Sequence, residues 1–437
     1  MRGIVIGLVE AAGLGDLVQY LTAALLVRMY TSAKVYLSIP RAFLAKVLLR
    51  GCLNNNGIEL CECVHLGLRL MGKKNLRIYG HHVSTSYAYV TMLVNRISKS
   101  RLWIEVLNPA ITKMKSREKY DFGVLGGHSV DENAVVKGGF LSALTFYNSA
   151  KYVSTGPSIT FPISITPKVL KLPDKYINMF RRALGRLDAI FVRGYTSLDT
   201  IRKMSDNVHV FIAPDSTLAL SIFFNTHSSR ERDYDKIRVV IVPRKEYFVT
   251  FSMLDRYKVY ILQLARTVRD LLERFDSEII LLSHYAGFSS DFIAIKNLIE
   301  ALRGVSTRVK ICMPTSLLED IRVISSADVI ITGRLHAGLI GMSYGKAVLF
   351  TLPTFDVRLH DIFSLLSLDV EPYLIDICSK DSLKNIPSKV FEMINYLKYY
   401  SYKISCATRK AMSYTAIPAK TILKFVREVK AVAEAKK

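Results

Sequence analysis

The sequence predicts an α/β protein built from two Rossmann-like parallel-sheet domains that face each other across a cleft, with helices added at the C-terminal end. Three observations predict it. Short β-branched runs alternate with longer helical patterns, the alternation occurs twice, and a polar segment separates the two series.

The first series has strand patterns at Ile4–Leu8, Lys34–Ser38, Asp121–Leu125, Tyr152–Thr155, Ala189–Val192 and Val208–Ile212. Each run reads as a buried strand, as expected for strands covered by helices on both faces of a parallel sheet. The polar stretch from Asn225 to Lys236, rich in Ser, Arg, Glu and Asp, reads as a linker. The second series has strands at Ile237–Val242, Glu278–Leu282, Val309–Met313, Val329–Thr332 and Ala347–Leu352, with helices such as Tyr257–Phe275 and Phe292–Leu302 between them. These patterns divide the chain into residues 1–226, 237–387 and a helical extension over 388–437. The division suits the length, since 437 residues exceed one ordinary domain. The extension ends in a basic amphipathic segment, with Ile417, Ile422, Leu423, Phe425 and Val426 set against Lys420, Lys424, Arg427, Lys430, Lys436 and Lys437. It reads as a surface helix packed across the domains, with peripheral membrane docking as the alternative.

Composition narrows the function classes. A hydrophobic share of 50% with 22% charged residues excludes a disordered chain. Sixty Lys and Arg against 37 Asp and Glu give a net charge of +23, which draws anions to the surface. No nucleic-acid module accompanies that charge, so a phosphorylated substrate or an anionic surface is the expected partner. The six cysteines are sparse and irregular, which fits a reducing compartment rather than a disulfide framework. No run is long and apolar enough to span a bilayer, and Met1-Arg2-Gly3-Ile4-Val5-Ile6 enters a strand pattern directly; the expectation is a cytoplasmic protein, free or peripheral on the inner membrane face. Cys61-Glu62-Cys63 with His65, the adjacent His81 and His82, and Asp233-Tyr234-Asp235 lack the companions a metal site needs, so no metal is expected.

In open α/β sheets ligands bind beyond the carboxyl ends of the strands, so chemistry is sought there. The most informative passage is Ala327-Asp328-Val329-Ile330-Ile331-Thr332-Gly333-Arg334-Leu335-His336-Ala337, which reads as strand, tight turn at Gly333 and helix. A helix start offers free N–H groups and a positive dipole end to an anion. Arg334 adds a planar fork suited to phosphate or carboxylate, and His336, two residues on, adds a titratable group. The competing reading pairs Arg334 with a surface carboxylate and uses His336 as a turn cap. The first domain repeats the construction, its strand delivering Arg193 ahead of Gly194 and a Thr/Ser helix start, with Asp199 or Asp215 as a structural partner for the arginine. Gly126-Gly127, Thr160, Asp215 and Arg244 stand at further strand ends. Glu10-Ala11-Ala12-Gly13-Leu14-Gly15-Asp16 lacks the third glycine of a dinucleotide loop and is not followed by Gly-Lys-Ser/Thr.

In order, Gly15-Asp16, Gly126-Gly127, Arg193 to Ser197, Pro214-Asp215-Ser216, Gly333-Arg334-Leu335-His336-Ala337 and Phe355-Asp356-Val357-Arg358 resemble the polysaccharide pyruvyl transferase family. The resemblance implies a two-domain fold similar to the glycosyltransferase B type, with an acceptor-side first domain contributing Arg193 and a donor-side second domain contributing Arg334 and His336. It implies transfer of pyruvate from phosphoenolpyruvate to two hydroxyls of a glycan or lipid-linked sugar as a cyclic ketal, with release of phosphate and no cofactor. Arg193, Arg334, Arg358 and Arg244 would then hold the two anionic groups of the donor, and His336 would be its acid or a phosphate ligand. Gly15, Asp16, Gly126, Gly127, Thr160, Asp215 and Gly333 would form turns or the acceptor side. Three departures stand out. Arg358 replaces the usual lysine, Gly194 replaces an acidic residue, and Thr160 stands where some members carry histidine. A glycosyltransferase of the same architecture using a nucleotide sugar is the alternative, and a non-catalytic protein that binds anions or nucleic acid a more distant one.

Overall fold

A computed structural model describes residues 1–6, 14–38, 58–61, 120–127, 129–130, 154–205, 208–224, 236–284 and 290–435. The Cys63 and His65 cluster, His81 and His82, the linker with Asp233 and Asp235, and the end residues Lys436 and Lys437 lie outside the described residues.

The first sheet comprises β1 (Arg2–Ile6), β2 (Lys34–Ser38), β3 (Ile58–Cys61), β4 (Phe122–Leu125) and, after the two-residue β5 (Ser129–Val130), β6 (Ser158–Thr160). Its order is β3-β2-β1-β4-β6 and every pair is parallel. Short β7 (Ser164–Ile165) pairs with β5, and β8 (Ile190–Val192) with β9 (Val210–Ile212). Parallel bridges from Ile159 to Ala189 and from Ile163 to Val192 tie β8 to the edge of the main sheet. Thr160 makes that junction. Its hydroxyl accepts from the Phe191 amide at 2.8 Å and donates to the Phe191 carbonyl at 3.2 Å, so it is buried and used up as a structural staple.

The second sheet has six parallel strands: β10 (Ile237–Val242), β11 (Ser277–Leu282), β12 (Val309–Cys312), β13 (Val329–Thr332), β14 (Ala347–Leu352) and β15 (Leu374–Asp376). Their order, β12-β11-β10-β13-β14-β15, is the doubly wound one. β13 and β14 are buried along their whole length, which explains why their sequences run apolar without alternation. The strand order reverses on either side of β10, so a crevice opens at the carboxyl ends of β10 and β13.

Helices cover both sheets: α1 (Leu14–Thr31), α2 (Asp174–Leu184), α3 (Tyr195–Met204), α4 (Leu254–Arg274), α5 (Ser290–Ala301), α6 (Leu317–Ser326), α7 (Leu335–Ser343), α8 (Val357–Leu366), α9 (Ile386–Asn395), α10 (Leu397–Thr415) and α11 (Ile417–Ala435). One apolar core runs from Val5, Leu21 and Val35 through Val240, Leu339 and Phe350 to Ile404 and Ile422, so the two sheet units share buried surface. The basic tail segment is α11, which packs on α1 with Ala419, Ile422 and Val426 buried while Lys420, Lys424, Arg427 and Lys430 face solvent. The chain thus crosses back to the first sheet. Among the described residues no helix is long and apolar enough to cross a membrane.

Two glycines mark close approaches at the site. A Cβ on Gly333 would lie 2.8 Å from the Cβ of Arg244, and one on Gly127 would lie 2.0 Å from Gln19 Nε2.

Candidate functional site

The helix α7 begins at the carboxyl end of β13, with Arg334 as its N-cap in an extended conformation. Thr332 stabilises the turn. Its hydroxyl accepts from the Arg334 amide at 2.9 Å and donates to the Arg334 carbonyl at 2.9 Å. The guanidinium then turns to Asp291 at the start of α5, with Nε 2.9 Å and Nη2 2.6 Å from Asp291 Oδ1 and Nη1 3.6 Å from Glu246 Oε2. The side chain keeps 14% of its surface exposed. The carboxylate pairing read from the sequence is therefore present, but the partner is fully buried rather than at the surface.

Glu246 follows β10 and links two arginines, accepting from Arg244 Nη2 at 2.7 Å as well as facing Arg334. Arg244 also lies 4.0 Å above the Tyr247 ring, and burial is outweighed by Glu246 so that its proton is held more firmly than usual. The first turn of α8, which follows β14, supplies Arg358, whose Nε lies 2.8 Å from Asp356 Oδ1 and whose Nη2 also donates to the Tyr247 hydroxyl. Asp356 caps α8. Burial alone would raise its pKa, but Arg358 keeps it below the usual carboxylate range. Arg244, Arg334 and Arg358 thus form a connected cationic edge whose carboxylate partners fix each guanidinium in place.

Arg193 behaves differently from the expectation that it reaches into the cleft. It is wholly buried, with Nε 2.6 Å from Asp215 Oδ2 and Nη1 donating to Ser129 Oγ at 2.6 Å. Placing a guanidinium at a strand end beneath the shared core forces this pairing, because an isolated buried charge is prohibitive. Asp199 is not the partner. Asp215 also accepts from Gln19 Nε2 at 3.2 Å and from the Thr217 amide at 2.9 Å. Burial pushes its pKa up, yet Arg193, then His336, then Thr217 hold it below the normal value.

His336 reaches this pair from the other sheet unit. Its Nε2 is 4.0 Å from Asp215 Oδ2 and its side chain is 13% exposed. Burial, reinforced by the cations of Arg193 and Arg358 and by His284 but opposed by Asp215, pushes its pKa down to about 3. The imidazole is accordingly neutral near pH 7 in the unliganded protein.

The sequence reading missed several members of the cluster. His284, just beyond β11, has Nδ1 2.9 Å from Asp320 Oδ2. Gln19, Glu246, Tyr247, Asp291 and Asp320 complete the surroundings, and only three-dimensional contact reveals them. Asp361 is the counterpart of the Gly194 departure. A Cβ at Gly194 would lie 2.5 Å from Asp361 Cβ, and the Asp361 carboxylate caps α3 by accepting from the Thr196 amide at 3.0 Å and Ser197 Oγ at 2.7 Å. An acidic group absent from the position after Arg193 is thus supplied next to it by α8. Gly15 and Asp16 fall in the first turn of α1, while Gly126 and Gly127 follow β4 on the first sheet. Thr160 is not brought to the site.

Hydrogen-bonding capacity is left unused at the cluster. Among the described residues, Gln19 Oε1, Arg193 Nη2, Arg244 Nε, His284 Nε2, Asp320 Oδ1 and His336 Nε2 are buried without a hydrogen-bond partner. Native interiors rarely leave such atoms unpaired, so their concentration here marks a place where a ligand or water completes the structure. Among the described residues no group of His, Cys, Asp and Glu is arranged to hold a metal ion.

A family model for polysaccharide pyruvyl transferase matches residues 63–351, which include Arg193, Asp215, His284, Arg334 and His336. The chain belongs to that family. Polysaccharide pyruvyl transferases are enzymes of glycan modification, which makes this chain a transferase acting on a glycan. No curated protein sequence matches it. Among solved structures it is similar to UDP-GlcNAc 2-epimerase from Neisseria meningitidis bound to UDP-GlcNAc, at 14% identity and a TM-score of 0.57, covering 97% of this chain and 100% of that one. It is also similar to UGT73P12 from Glycyrrhiza uralensis complexed with glycyrrhetinic acid 3-O-monoglucuronide, at 9% identity and a TM-score of 0.52, covering 100% of this chain and 97% of that one. At these identities the likeness establishes the fold: this pyruvyl transferase has the two-domain, glycosyltransferase-B-like architecture with C-terminal helices.

Proposed function

We propose that this transferase moves pyruvate from phosphoenolpyruvate onto two hydroxyls of a glycan as a cyclic ketal and releases inorganic phosphate. The observation that carries the reading is the cationic edge of Arg244, Arg334 and Arg358 beside a neutral His336. A donor bearing both a phosphate and a carboxylate needs several fixed cations, and each guanidinium here is held by a carboxylate of its own. Arg334 and Arg358 are the direct clamps in this reading. Arg193 acts as a positioning residue, since it is buried and reaches the site through Asp215.

His336 is the proton donor to the methylene carbon. Its imidazole is neutral without ligand, and a bound anion raises its affinity for a proton, so the acid form is assembled only with the donor in place. Protonation at the methylene carbon makes the adjacent carbon electrophilic, one hydroxyl adds there, and the second displaces phosphate. Two hydroxyl protons leave; one replaces the proton given to the methylene carbon and the other departs with phosphate.

The test is incubation of the protein with phosphoenolpyruvate carrying carbon-13 at its second carbon, together with a mixed glycan preparation. The reading requires a ketal carbon signal on the glycan and one phosphate released per ketal. Consumption of UDP-GlcNAc under the same conditions, with no ketal formed, would replace it with the nucleotide-sugar alternative.

A further inference from the structure

Pyruvyl transfer needs a group that receives a proton as well as one that gives it. His336 supplies the donor in the reading above, and the acceptor hydroxyl still requires a base. His284 stands where one is wanted. β11, β10 and β13 are adjacent, with Ile241 level with Leu281 and Val242 level with Thr332. Two residues beyond these strand ends come His284, Arg244 and Arg334, side by side along the carboxyl edge of the sheet.

The ring is set by a carboxylate. His284 is 3% exposed, Asp320 is fully buried, and Nδ1 lies 2.9 Å from Asp320 Oδ2. A carboxylate only accepts, so Nδ1 carries the hydrogen and Nε2 carries the lone pair. That Nε2 is buried and has no hydrogen-bond partner among the described residues. A histidine kept for structure is satisfied at both nitrogens, because an unpaired buried acceptor costs about 1–3 kcal/mol. The carboxylate–imidazole pair with its second nitrogen left open is the arrangement of a proton acceptor with an orienting group. Burial first, and last of the lesser influences His284, lower the pKa of His336.

We infer that His284, oriented by Asp320, is the base that takes the proton of the attacking acceptor hydroxyl, opposite in role to His336. The inference rests on the pyruvyl-transfer reading. As the acceptor oxygen bonds to the second carbon of the donor, its O–H bond breaks and the proton passes to Nε2. When the bond from that carbon to the phosphate oxygen breaks, its electron pair leaves with phosphate, which takes the proton from the imidazolium. Asp320 is a positioning residue and stays ionised throughout.

The experiment is histidine-selective nitrogen-15 NMR on the full chain, with His284 and His336 assigned from the His284→Gln and His336→Gln variants, and phosphoenolpyruvate as the titrant. The inference predicts a single Nδ1–H tautomer for His284 in the wild type, a mixture of tautomers in Asp320→Asn, and movement of the His284 Nε2 resonance as phosphoenolpyruvate saturates. It further predicts that in Asp320→Asn the donor still moves His336, because the clamp arginines are untouched. A donor titration that moves His336 but leaves His284 in place overturns the inference alone. A donor that moves neither overturns the pyruvyl-transfer reading and the inference with it. A wild-type His284 that carries its hydrogen on Nε2 also overturns it, since that nitrogen then has no lone pair to offer.

Discussion

Replacing Asp215 by asparagine keeps the side chain's shape and takes away the charge beside Arg193. In the native protein that guanidinium is completely buried, 2.6 Å from Asp215, with the Ser129 and Ser164 hydroxyls as its other hydrogen-bond partners. Removing one partner of a buried pair leaves an uncompensated charge and costs about 3–5 kcal/mol. For units of this size each kcal/mol moves the melting temperature by roughly 2–4 °C, so a drop of about 6–20 °C is expected. Differential scanning calorimetry measures it. Adding Arg193→Met on the Asp215→Asn background should recover part of the loss, because the orphaned charge goes with it. An Asp215→Asn protein that melts within about 2 °C of wild type would refute the claim that this pair is electrostatically coupled in the core. So would a double variant whose loss equals the sum of the singles.

Three further outcomes follow from the same contacts. His336 has a folded-state pKa of about 3, below its usual 6.5, so the unfolded chain binds the extra proton first and stability falls as pH drops below 6.5. The slope attributable to this residue is at most about 1.4 kcal/mol per pH unit, and urea unfolding between neutral and mildly acidic pH should show a flatter dependence in His336→Gln. Gly194→Ala should destabilise by about 1–3 kcal/mol, because its methyl group meets Asp361 across the junction of the two sheet units; calorimetry showing no change would mean that α8 yields freely. Asp361→Ala removes the acceptor for the Thr196 and Ser197 amides and should cost about 0.5–2 kcal/mol, read as a lower urea midpoint with an unchanged slope.

The strand-turn-helix around Arg334 was legible because its signals are local. β10, β13 and β14 occupy the predicted residues, since strongly apolar runs that stop at Pro243, Gly333 and Pro353 leave little choice of boundary. β6 was harder to see. The sequence points to a strand at Tyr152–Thr155, of which Tyr152 and Val153 lie outside the described residues and Ser154 makes a parallel bridge to Tyr120, while β6 itself is Ser158–Thr160, which follows Pro157 and has the look of a turn. The partners of the site residues were invisible for a different reason. Asp291 lies 43 positions from Arg334, Asp320 lies 36 from His284, and Gln19 lies 196 from Asp215, and no periodicity connects such pairs. The compensating placement of Asp361 beside Gly194, 165 positions from Thr196, shows the same limit: an acidic group missing from one strand end was supplied by another helix.

The identity of the donor is tested most directly by a thermal-shift titration with phosphoenolpyruvate and, separately, UDP-GlcNAc, on the wild type and on Arg334→Ala. A ligand that binds the native state alone raises the melting temperature by mass action. Stabilisation by phosphoenolpyruvate that disappears in Arg334→Ala is the predicted result. Stabilisation by UDP-GlcNAc with no response to phosphoenolpyruvate would contradict it.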